Sequence, residues 1–386
     1  MAPVRRAGRT RTTAAAALYL LLAGGCTSVN PYYDPARPHH TREGFKNNYI
    51  AAVNKGFGEL MRWQWERRRD GLPKPPATPV PVQSPDMAAI TSYPQAWARA
   101  AASPAQPQRP PAITWIGHAS TLVQAGGLNM LTDPVFSKRA SPVQFVGPER
   151  AQPPGIALAD LPPIDVVMVS HNHYDHLDTA SVQAIAARSA QAGKPTLFLV
   201  PLGLKSWFAS RGIDNVIEMD WWDRHVFRGV EFNFTPVQHW SARGLGDRSQ
   251  TLWGGYAVFA PDLHWYFSGD TGYSKDFQDT RARFAEREKD GRGGFDLALI
   301  AVGAYEPRWF MASQHINPAE AVQIHRDLGA KRSVGVHWGT FELTDEPLDQ
   351  PPKDLAAART AQGLKADDFV TLAVGETRVL SARQRP

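Results

Sequence analysis

Residues 170–178 read Ser170-His171-Asn172-His173-Tyr174-Asp175-His176-Leu177-Asp178, which places three histidines and two acids within nine residues. An apolar run over residues 164–169 leads into this stretch and predicts a buried strand. A loop at the carboxyl end of a strand is a rigid place for a site on an α/β scaffold. Imidazole nitrogens and carboxylate oxygens are the ligands that zinc and similar ions prefer. The stretch therefore predicts a metal-binding loop, the alternative being a polar loop that caps a helix.

The spacing within this loop predicts two sets of ligands. His171 and His173 lie two residues apart, so on an extended segment they point the same way and would share one ion. Asp175 and His176 follow where the chain turns, and we expect them to face a second ion. Two adjacent sets predict a two-metal centre with ions about 3.5–4 Å apart.

Three further candidates end predicted strands, and they complete the two sets. His239 is expected to join the first ion and His337 the second. Asp270 would bridge the ions, because a carboxylate has two oxygens. His315 is left over and is predicted to touch substrate. His118, in a tight turn, is expected to orient a neighbour of the site rather than to bind metal.

Five other histidines are assigned to polar or solvent-facing contexts. They are His39, His40, His225, His264 and His325.

Composition and charge describe a globular chain with a targeting segment. Of 386 residues, 43% are hydrophobic and 20% charged, which suits one large domain with an N-terminal extension. The formal charge of +5 includes four arginines within residues 1–25, where no acid occurs. Removing that segment would leave +1, which argues against a nucleic-acid partner.

The N-terminus has the pattern of a secretory signal peptide, predicted over residues 1–25. Arginines precede a short apolar run, and small residues then precede Cys26, the only cysteine. This resembles a bacterial lipobox, although Ala23 replaces the usual larger aliphatic residue. We expect Cys26 to be acylated and the exported protein to be a membrane-anchored lipoprotein of the bacterial envelope, in the periplasm or outer membrane.

The rest of the chain divides into an extension at 27–111, helical and proline-rich, and a domain at 112–386. Residues 57–65 have helical spacing, consistent with a helix packed on the domain or one lying at a lipid interface. From residue 112, strands alternate with helices. The pattern predicts two packed sheets covered by helices, a four-layer α/β sandwich. Predicted strands cover 113–116, 120–123, 128–132, 196–200, 216–219, 230–234, 256–259, 265–268, 297–302, 333–337 and 370–374, and predicted helices cover 181–190 and 318–328.

The loop at 171–176, followed by His239, Asp270 and His337, resembles the pattern of the metallo-β-lactamase superfamily. Longer blocks resemble one of its families, the N-acyl-phosphatidylethanolamine-hydrolysing phospholipases D. These blocks include Trp115-Ile116-Gly117-His118-Ala119, Gln238-His239-Trp240, Gly269-Asp270-Thr271-Gly272-Tyr273 and His337-Trp338-Gly339-Thr340-Phe341. The likeness covers roughly residues 112–377. It implies an αβ/βα sandwich and a centre of two Zn²⁺ ions.

The resemblance also implies an activity, the hydrolysis of N-acyl-phosphatidylethanolamine to N-acylethanolamine and phosphatidic acid. We expect a hydroxide that bridges the metals to attack phosphorus, with Asp175 as proton acceptor. His315 is the candidate for stabilising the phosphate or the leaving group. Tyr174, Gln314 and His315 are assigned to substrate binding. In the family, helices near the site meet the bilayer, and residues 200–208 match one such segment whose apolar side chains are expected to enter lipid.

Two alternatives remain open from the sequence. The same centre could serve another phosphodiester, a lactone or another ester, since the pocket and not the metal decides the substrate. A chain of this fold could also be a non-catalytic envelope lipoprotein. The expected partners are a phospholipid and the membrane surface, and a homodimer is one alternative for the oligomeric state.

Overall fold

The computed structural model of the chain describes residues 29–50, 53, 55–102, 109–288 and 294–383. The predicted signal peptide and Cys26 lie outside the described residues. Within the described ranges, no helix combines the length and the apolar character needed to cross a bilayer.

Two seven-stranded sheets form the centre of the fold. Strands of the first are β1 (Ala112–Gly117), β2 (Ser120–Ala125), β3 (Leu128–Thr132), β4 (Val166–Met168), β5 (Leu197–Pro201), β6 (Val216–Met219) and β14 (Thr377–Val379). Their order is β14-β1-β2-β3-β4-β5-β6, and β3 to β6 run parallel. β3, β4 and β5 are buried along their whole length, as expected of parallel strands covered on both faces.

The second sheet has the same number of strands and a matching arrangement. Its strands are β7 (Arg224–Phe227), β8 (Val230–Thr235), β9 (Gly255–Phe259), β10 (His264–Phe267), β11 (Leu297–Ala301), β12 (Ser333–Val336) and β13 (Phe369–Thr371). They lie in the order β13-β12-β11-β10-β9-β8-β7, with β10 to β13 parallel.

Eight helices are described around the two sheets. They are α1 (Phe57–Asp70), α2 (Met87–Ala102), α3 (Thr179–Gln191), α4 (Lys205–Ala209), α5 (Asp276–Arg283), α6 (Arg308–Met311), α7 (Pro318–Asp327) and α8 (Gln350–Ala361). Apolar residues of α2, α3 and α4 pack on the first sheet, and those of α7 and α8 pack on the second. The predicted four-layer αβ/βα sandwich is therefore confirmed.

Most predicted elements are confirmed, with shifts at their ends. The hairpin of β1 and β2 turns at Gly117 and His118, whose φ angles are 129° and 53°. The strand predicted over 370–374 lies at Phe369–Thr371, and β7 and β14 have no predicted counterpart. Residues 57–65 do form a helix, α1.

The residues before α1 form a series of turns that packs on the domain, and we call residues 29–50 the N-terminal strap. Here His39 and His40 lie in a polar context, as expected, but not a solvent-facing one, because both rings are buried. Their Nε2 atoms lie 2.6 and 3.0 Å from the two carboxylate oxygens of Asp220, and His39 stacks on Trp221. His325 is buried as well, with Nδ1 2.8 Å from Ser333 Oγ. Local sequence gave no sign that these polar residues are packed under other parts of the chain.

Candidate metal centre

Four strands deliver the predicted ligands to one edge of the sandwich. The loop after β4 carries His171 to His176, and β8, β10 and β12 lead to His239, Asp270 and His337. All seven predicted ligand side chains lie together at this edge, with ligand atoms of neighbouring groups within 4.8 Å of one another. Sites at the carboxyl ends of parallel strands are the usual arrangement in open α/β sheets.

The outer nitrogens of three imidazoles are held by hydrogen bonds. Ser170 Oγ donates to Asp133 Oδ2 at 2.6 Å, so it accepts the bond from His171 Nδ1 at 2.9 Å. His176 Nδ1 donates to the same Asp133 oxygen at 2.6 Å. His239 Nδ1 donates to the carbonyl of Gln314 at 2.9 Å. Each of these rings therefore turns the lone pair of Nε2 inward, as metal-binding histidines do.

The inward atoms form the first set as predicted from spacing. His171 Nε2 lies 2.8 Å from His173 Nδ1, which lies 3.4 Å from His239 Nε2. Three ring nitrogens that converge at such distances offer lone pairs to a single cation. The residues thus fit a divalent ion.

The second set lies beside the first and shares Asp270. His337 Nε2 is 3.1 Å from His176 Nε2 and 3.3 Å from Asp175 Oδ2. Asp270 Oδ2 lies 3.1 Å from His176 Nε2, 3.2 Å from His337 Nε2, and 4.0 and 3.9 Å from Nε2 of His171 and His239. One carboxylate therefore faces both sets.

A buried oxygen without a partner supports the same interpretation. Asp270 Oδ1, the second oxygen of the predicted bridging carboxylate, is buried and has no hydrogen-bond partner among the described residues. Buried polar atoms normally find a partner, so this exception beside two ligand sets is consistent with a bound ion.

The ligand histidines fall into two groups by the direction in which their pKa is shifted. Burial lowers the pKa of His239 to about 3 and that of His173 to about 4, so both rings are neutral and keep a lone pair for a metal. Burial opposes charge on His337 too, but Asp270 and Asp175 raise its pKa to about 9. Burial would raise the pKa of the Asp270 carboxyl, yet His176 and His337 hold that pKa well below its usual value. The negative charge is thus concentrated at the second set and the bridging position.

His118 lies closer to the second set than the sequence alone indicates. Its Nε2 is 3.0 Å from Asp175 Oδ2, and its ring centroid is 4.0 Å from that of His337. His118 has a positive φ, which directs its ring towards the site. The backbone N–H of His118 donates to Thr340 Oγ1 at 2.8 Å. This contact agrees with the expectation that His118 orients a neighbour.

An apolar cavity of about 440 Å³ opens onto the metal centre. Tyr174, Gln314 and His315, the predicted substrate residues, all line it. His315 Nδ1 is 3.7 Å from Asp270 Oδ2 and has no hydrogen-bond partner. Lys55 and Arg248 bring positive charge to the same cavity. Its apolar walls are Leu60, Trp63, Ala140, Phe310, Met311 and Leu343.

The segment predicted to enter lipid, residues 200–208, is mostly interior. Leu204 and Phe208 are buried in the core between α3, α4 and the first sheet, so the expectation for these two side chains is wrong. Leu202 and Trp207 are half-buried, and Arg211 stacks on the Trp207 ring with Cζ 3.7 Å from the centroid. The apolar pattern of this segment reflects packing rather than lipid contact.

Arg243, which sequence analysis did not identify, holds the metal loop in place. Its Nη1 donates to the carbonyls of Asn172 and Leu177 at 2.8 and 2.7 Å, and its Cζ lies 4.0 Å from the centroid of Tyr174. These contacts bind both ends of the loop to the segment after His239.

Comparisons with known proteins agree with this geometry. A family model described as a beta-lactamase superfamily domain matches residues 128–338. The chain is 42% identical over 279 residues to N-acyl-phosphatidylethanolamine-hydrolyzing phospholipase D 1 of Caenorhabditis elegans, covering 68% of this chain and 74% of that protein. It is 36% identical over 260 residues to the mitochondrial N-acyl-phosphatidylethanolamine-hydrolyzing phospholipase D of Saccharomyces cerevisiae, covering 65% of this chain and 52% of that protein.

Among solved structures, an isothiocyanate hydrolase from Delia radicum gut bacteria is similar with a TM-score of 0.55 and 21% identity. The match covers 70% of this chain and 100% of that one. At this identity the likeness supports the sandwich fold alone.

Proposed function

Because this chain belongs to the N-acyl-phosphatidylethanolamine-hydrolysing phospholipase D family of the metallo-β-lactamase superfamily, we propose that it is a zinc-dependent phosphodiesterase of the phospholipase D type. The chain is a metal-dependent hydrolase, which argues against the alternative of a non-catalytic lipoprotein. The proposed substrates are N-acyl-phosphatidylethanolamine-like lipids. The proposed products are N-acylethanolamine and phosphatidic acid.

One observation carries the proposal, namely two ligand sets that share Asp270 at the base of an apolar cavity. His171, His173 and His239 would hold one zinc ion, and Asp175, His176 and His337 the other. A pair of bound zinc ions supplies Lewis acidity and a nucleophile at neutral pH. The apolar walls suit the acyl chains of a lipid, which a small lactone would not need.

The side chains around the centre have separable roles in this proposal. Asp175 is ionised, because His176 and His118 hold its pKa well below its usual value despite burial, and its place in the second ligand set would bring it next to the proton that it is proposed to accept. Burial lowers the pKa of His315 to about 3, so its neutral ring would donate a hydrogen bond to a phosphate or leaving-group oxygen. Lys55 and Arg248 would attract the anionic headgroup to the cavity.

The surface beside the cavity fits a lipid bilayer as partner. Phe57, Met61 and Trp65 lie four residues apart on α1 and are 78%, 49% and 60% exposed. Trp309, next to the cavity wall, is 37% exposed and lies under the guanidinium of Arg62. Exposed aromatic side chains next to arginines are typical of helices that lie in a membrane interface. Acylation at Cys26 and a position in the bacterial envelope complete this proposal.

Product analysis with isotopic water tests the proposed reaction. Zinc-loaded protein would be incubated in ¹⁸O-water with N-acyl-phosphatidylethanolamine, phosphatidylcholine and a long-chain lactone. We expect N-acylethanolamine without label and phosphatidic acid with one ¹⁸O, because attack at phosphorus breaks the P–O bond to the ethanolamine. His173→Ala should abolish turnover, whereas His225→Ala, far from the site, should keep it.

Three results would overturn the proposal. Release of fatty acid would mean that an acyl ester or the amide is cleaved instead of the phosphodiester, and turnover of the lactone alone would favour the lactone hydrolase that the sequence leaves open. Label in the N-acylethanolamine would place the attack at carbon instead of phosphorus.

A further inference from the structure

The N-terminal strap reaches the metal centre through one side chain, Asn47. We propose that Asn47 is a positioning residue, which holds the backbone of His239 so that this ring can serve the first metal ion. The strap would then support a metal ligand directly. This inference rests on the proposed metal centre and does not depend on the lipid substrate.

Asn47 pairs with His239 in both directions. The backbone N–H of His239 donates to Asn47 Oδ1 at 2.9 Å, and Asn47 Nδ2 donates to the carbonyl of His239 at 3.0 Å. The side-chain amide thereby imitates a neighbouring strand. Both residues are buried, and Trp253 Nε1 also donates to Asn47 Oδ1 at 3.1 Å.

His239 has few other restraints on its backbone. It lies beyond the end of β8, and among the described residues neither its N–H nor its carbonyl pairs with another backbone group. The preceding residue, Gln238, is held by Gly272 and Thr271, at 2.7 and 3.1 Å. Asn47 therefore extends the hydrogen-bonded backbone by one residue, to the predicted ligand His239. Without Asn47, the buried N–H and carbonyl of His239 would lack partners.

The strap holds Asn47 in register through the segment that precedes it. The N–H of Phe45 donates to the carbonyl of Ser249 at 2.8 Å, and the ring of Phe45 belongs to the main core. A Cβ at Gly44 would lie 2.2 Å from the Ser249 oxygen, so only glycine permits this approach. The next residue, Asn48, contacts α5 instead of the site, and its Nδ2 donates to Asp276 Oδ1 at 2.8 Å.

The ring of His239 is also held by a second contact. Loss of Asn47 should therefore change how exactly the ring is positioned, and not remove the ring from the site. Nδ1 donates to the Gln314 carbonyl, and Nε2 faces His173 at 3.4 Å. Loss of the Asn47 pair leaves the Gln314 bond but frees the backbone to shift. Groups that orient a metal ligand typically change affinity by about 10–100-fold, and we expect an effect of that size.

Metal titration of the full chain tests the inference without any lipid. Asn47→Ala and the matched control Asn48→Ala would be stripped of metal and titrated with zinc, with metal per chain measured by mass spectrometry. We expect Asn47→Ala to bind one ion as wild type does and the other about 10–100-fold more weakly. Asn48→Ala, which loses a hydrogen bond of the same strap outside the site, should match wild type.

The absorption spectrum of bound cobalt(II) distinguishes a positioning role of Asn47 from a general loss of stability. With cobalt(II) in place of zinc, the visible absorption of Asn47→Ala should change at the second equivalent only, and excess metal should restore it. If Asn47→Ala does not fold, Asn47→Asp, which keeps the acceptor and loses the donor, takes its place under the same criteria. A folded variant that binds both ions with wild-type affinity overturns the proposal. A wild-type chain that binds no metal would instead refute the metal centre itself.

Discussion

At the scale of single residues, the buried carboxylate of Asp133 has the most influence on the metal loop. It accepts the Ser170 N–H at 2.7 Å, the Ser170 hydroxyl at 2.6 Å and His176 Nδ1 at 2.6 Å. One side chain thus sets the orientation of His171, through Ser170, and of His176 directly.

We predict that Asp133→Asn weakens metal binding about 10–100-fold, because an amide cannot accept all three of these hydrogen bonds. Zinc titration of the metal-free protein measures the effect. Asp160→Asn, at an exposed acid on a short 3₁₀ helix, is the control and should bind zinc normally. Equal affinity in both variants would contradict the role given to Asp133.

Asp220 anchors the strap and gives a pH-dependent contribution to stability. Burial would raise its pKa, but hydrogen bonds from His39 and the charge of His39 and His40 hold that pKa below 3.8. The folded state therefore favours the ionised form. The stabilisation is complete at pH values above about 4 and is lost as the pH falls through the folded-state pKa.

We predict that Asp220→Asn lowers the free energy of unfolding by about 1–3 kcal/mol at pH 7. The difference from wild type should shrink at pH 3, where wild type has lost part of the same contribution. Urea unfolding at both pH values, with the exposed Asp214→Asn as control, provides the measurement. A difference that grows towards low pH would mean that the sign of the linkage is wrong.

The residues that sequence reasoning missed share a physical cause. His39, His40, Asp133 and Arg243 act through contacts with segments distant in the chain, and nothing in their neighbours reports those contacts. The ligand positions were easier to find because each follows a predicted strand. Position at a strand end can be predicted from a local apolar pattern.

At the scale of secondary structure, α1 has two faces with different partners. Trp63 is buried, stacks on Phe310 with centroids 4.9 Å apart and donates from Nε1 to Asp345 at 2.9 Å. Phe57, Met61 and Trp65 point away from the domain. The sequence offered docking on the domain and contact with lipid as alternatives. The structure establishes the docked face, and lipid contact remains a proposal for the exposed one.

We predict that replacing Phe57, Met61 and Trp65 together by Ser weakens binding to phospholipid vesicles at least tenfold. Each apolar side chain contributes about 1.5–3 kcal/mol when fully buried, so even partial insertion exceeds this threshold. Sedimentation with vesicles measures binding, and Val226→Ser with Val379→Ser, exposed elsewhere, is the control. Unchanged binding of the triple variant would exclude this face as the docking surface.

Element boundaries and short edge strands were the least predictable part of the fold. β7 is only partly buried and β14 has no buried residue, so neither shows the apolar run that identifies a central strand. The buried strand β11 has that run, β8 alternates apolar with polar residues, and both were predicted. Residues 200–208 show the converse error, because an apolar segment packed inside looks the same in sequence as one that enters lipid.

At the scale of the whole molecule, the two sheets bring the site together and the extension completes it. Parts of the extension dock on separate segments of the domain, with Asn47 at His239 and Gln83 N–H donating to the Val374 carbonyl at 2.8 Å. The metal centre and its cavity therefore depend on residues on both sides of the predicted boundary at residue 112.

The central claim is that two metal ions held by seven side chains perform the hydrolysis. Metal content and turnover of the same protein samples test it most directly. We expect about two zinc ions per chain in wild type, and loss of metal and of N-acyl-phosphatidylethanolamine cleavage together in His173→Ala and Asp270→Asn. Chelation should abolish turnover and zinc should restore it, whereas full turnover by metal-free protein would contradict the account.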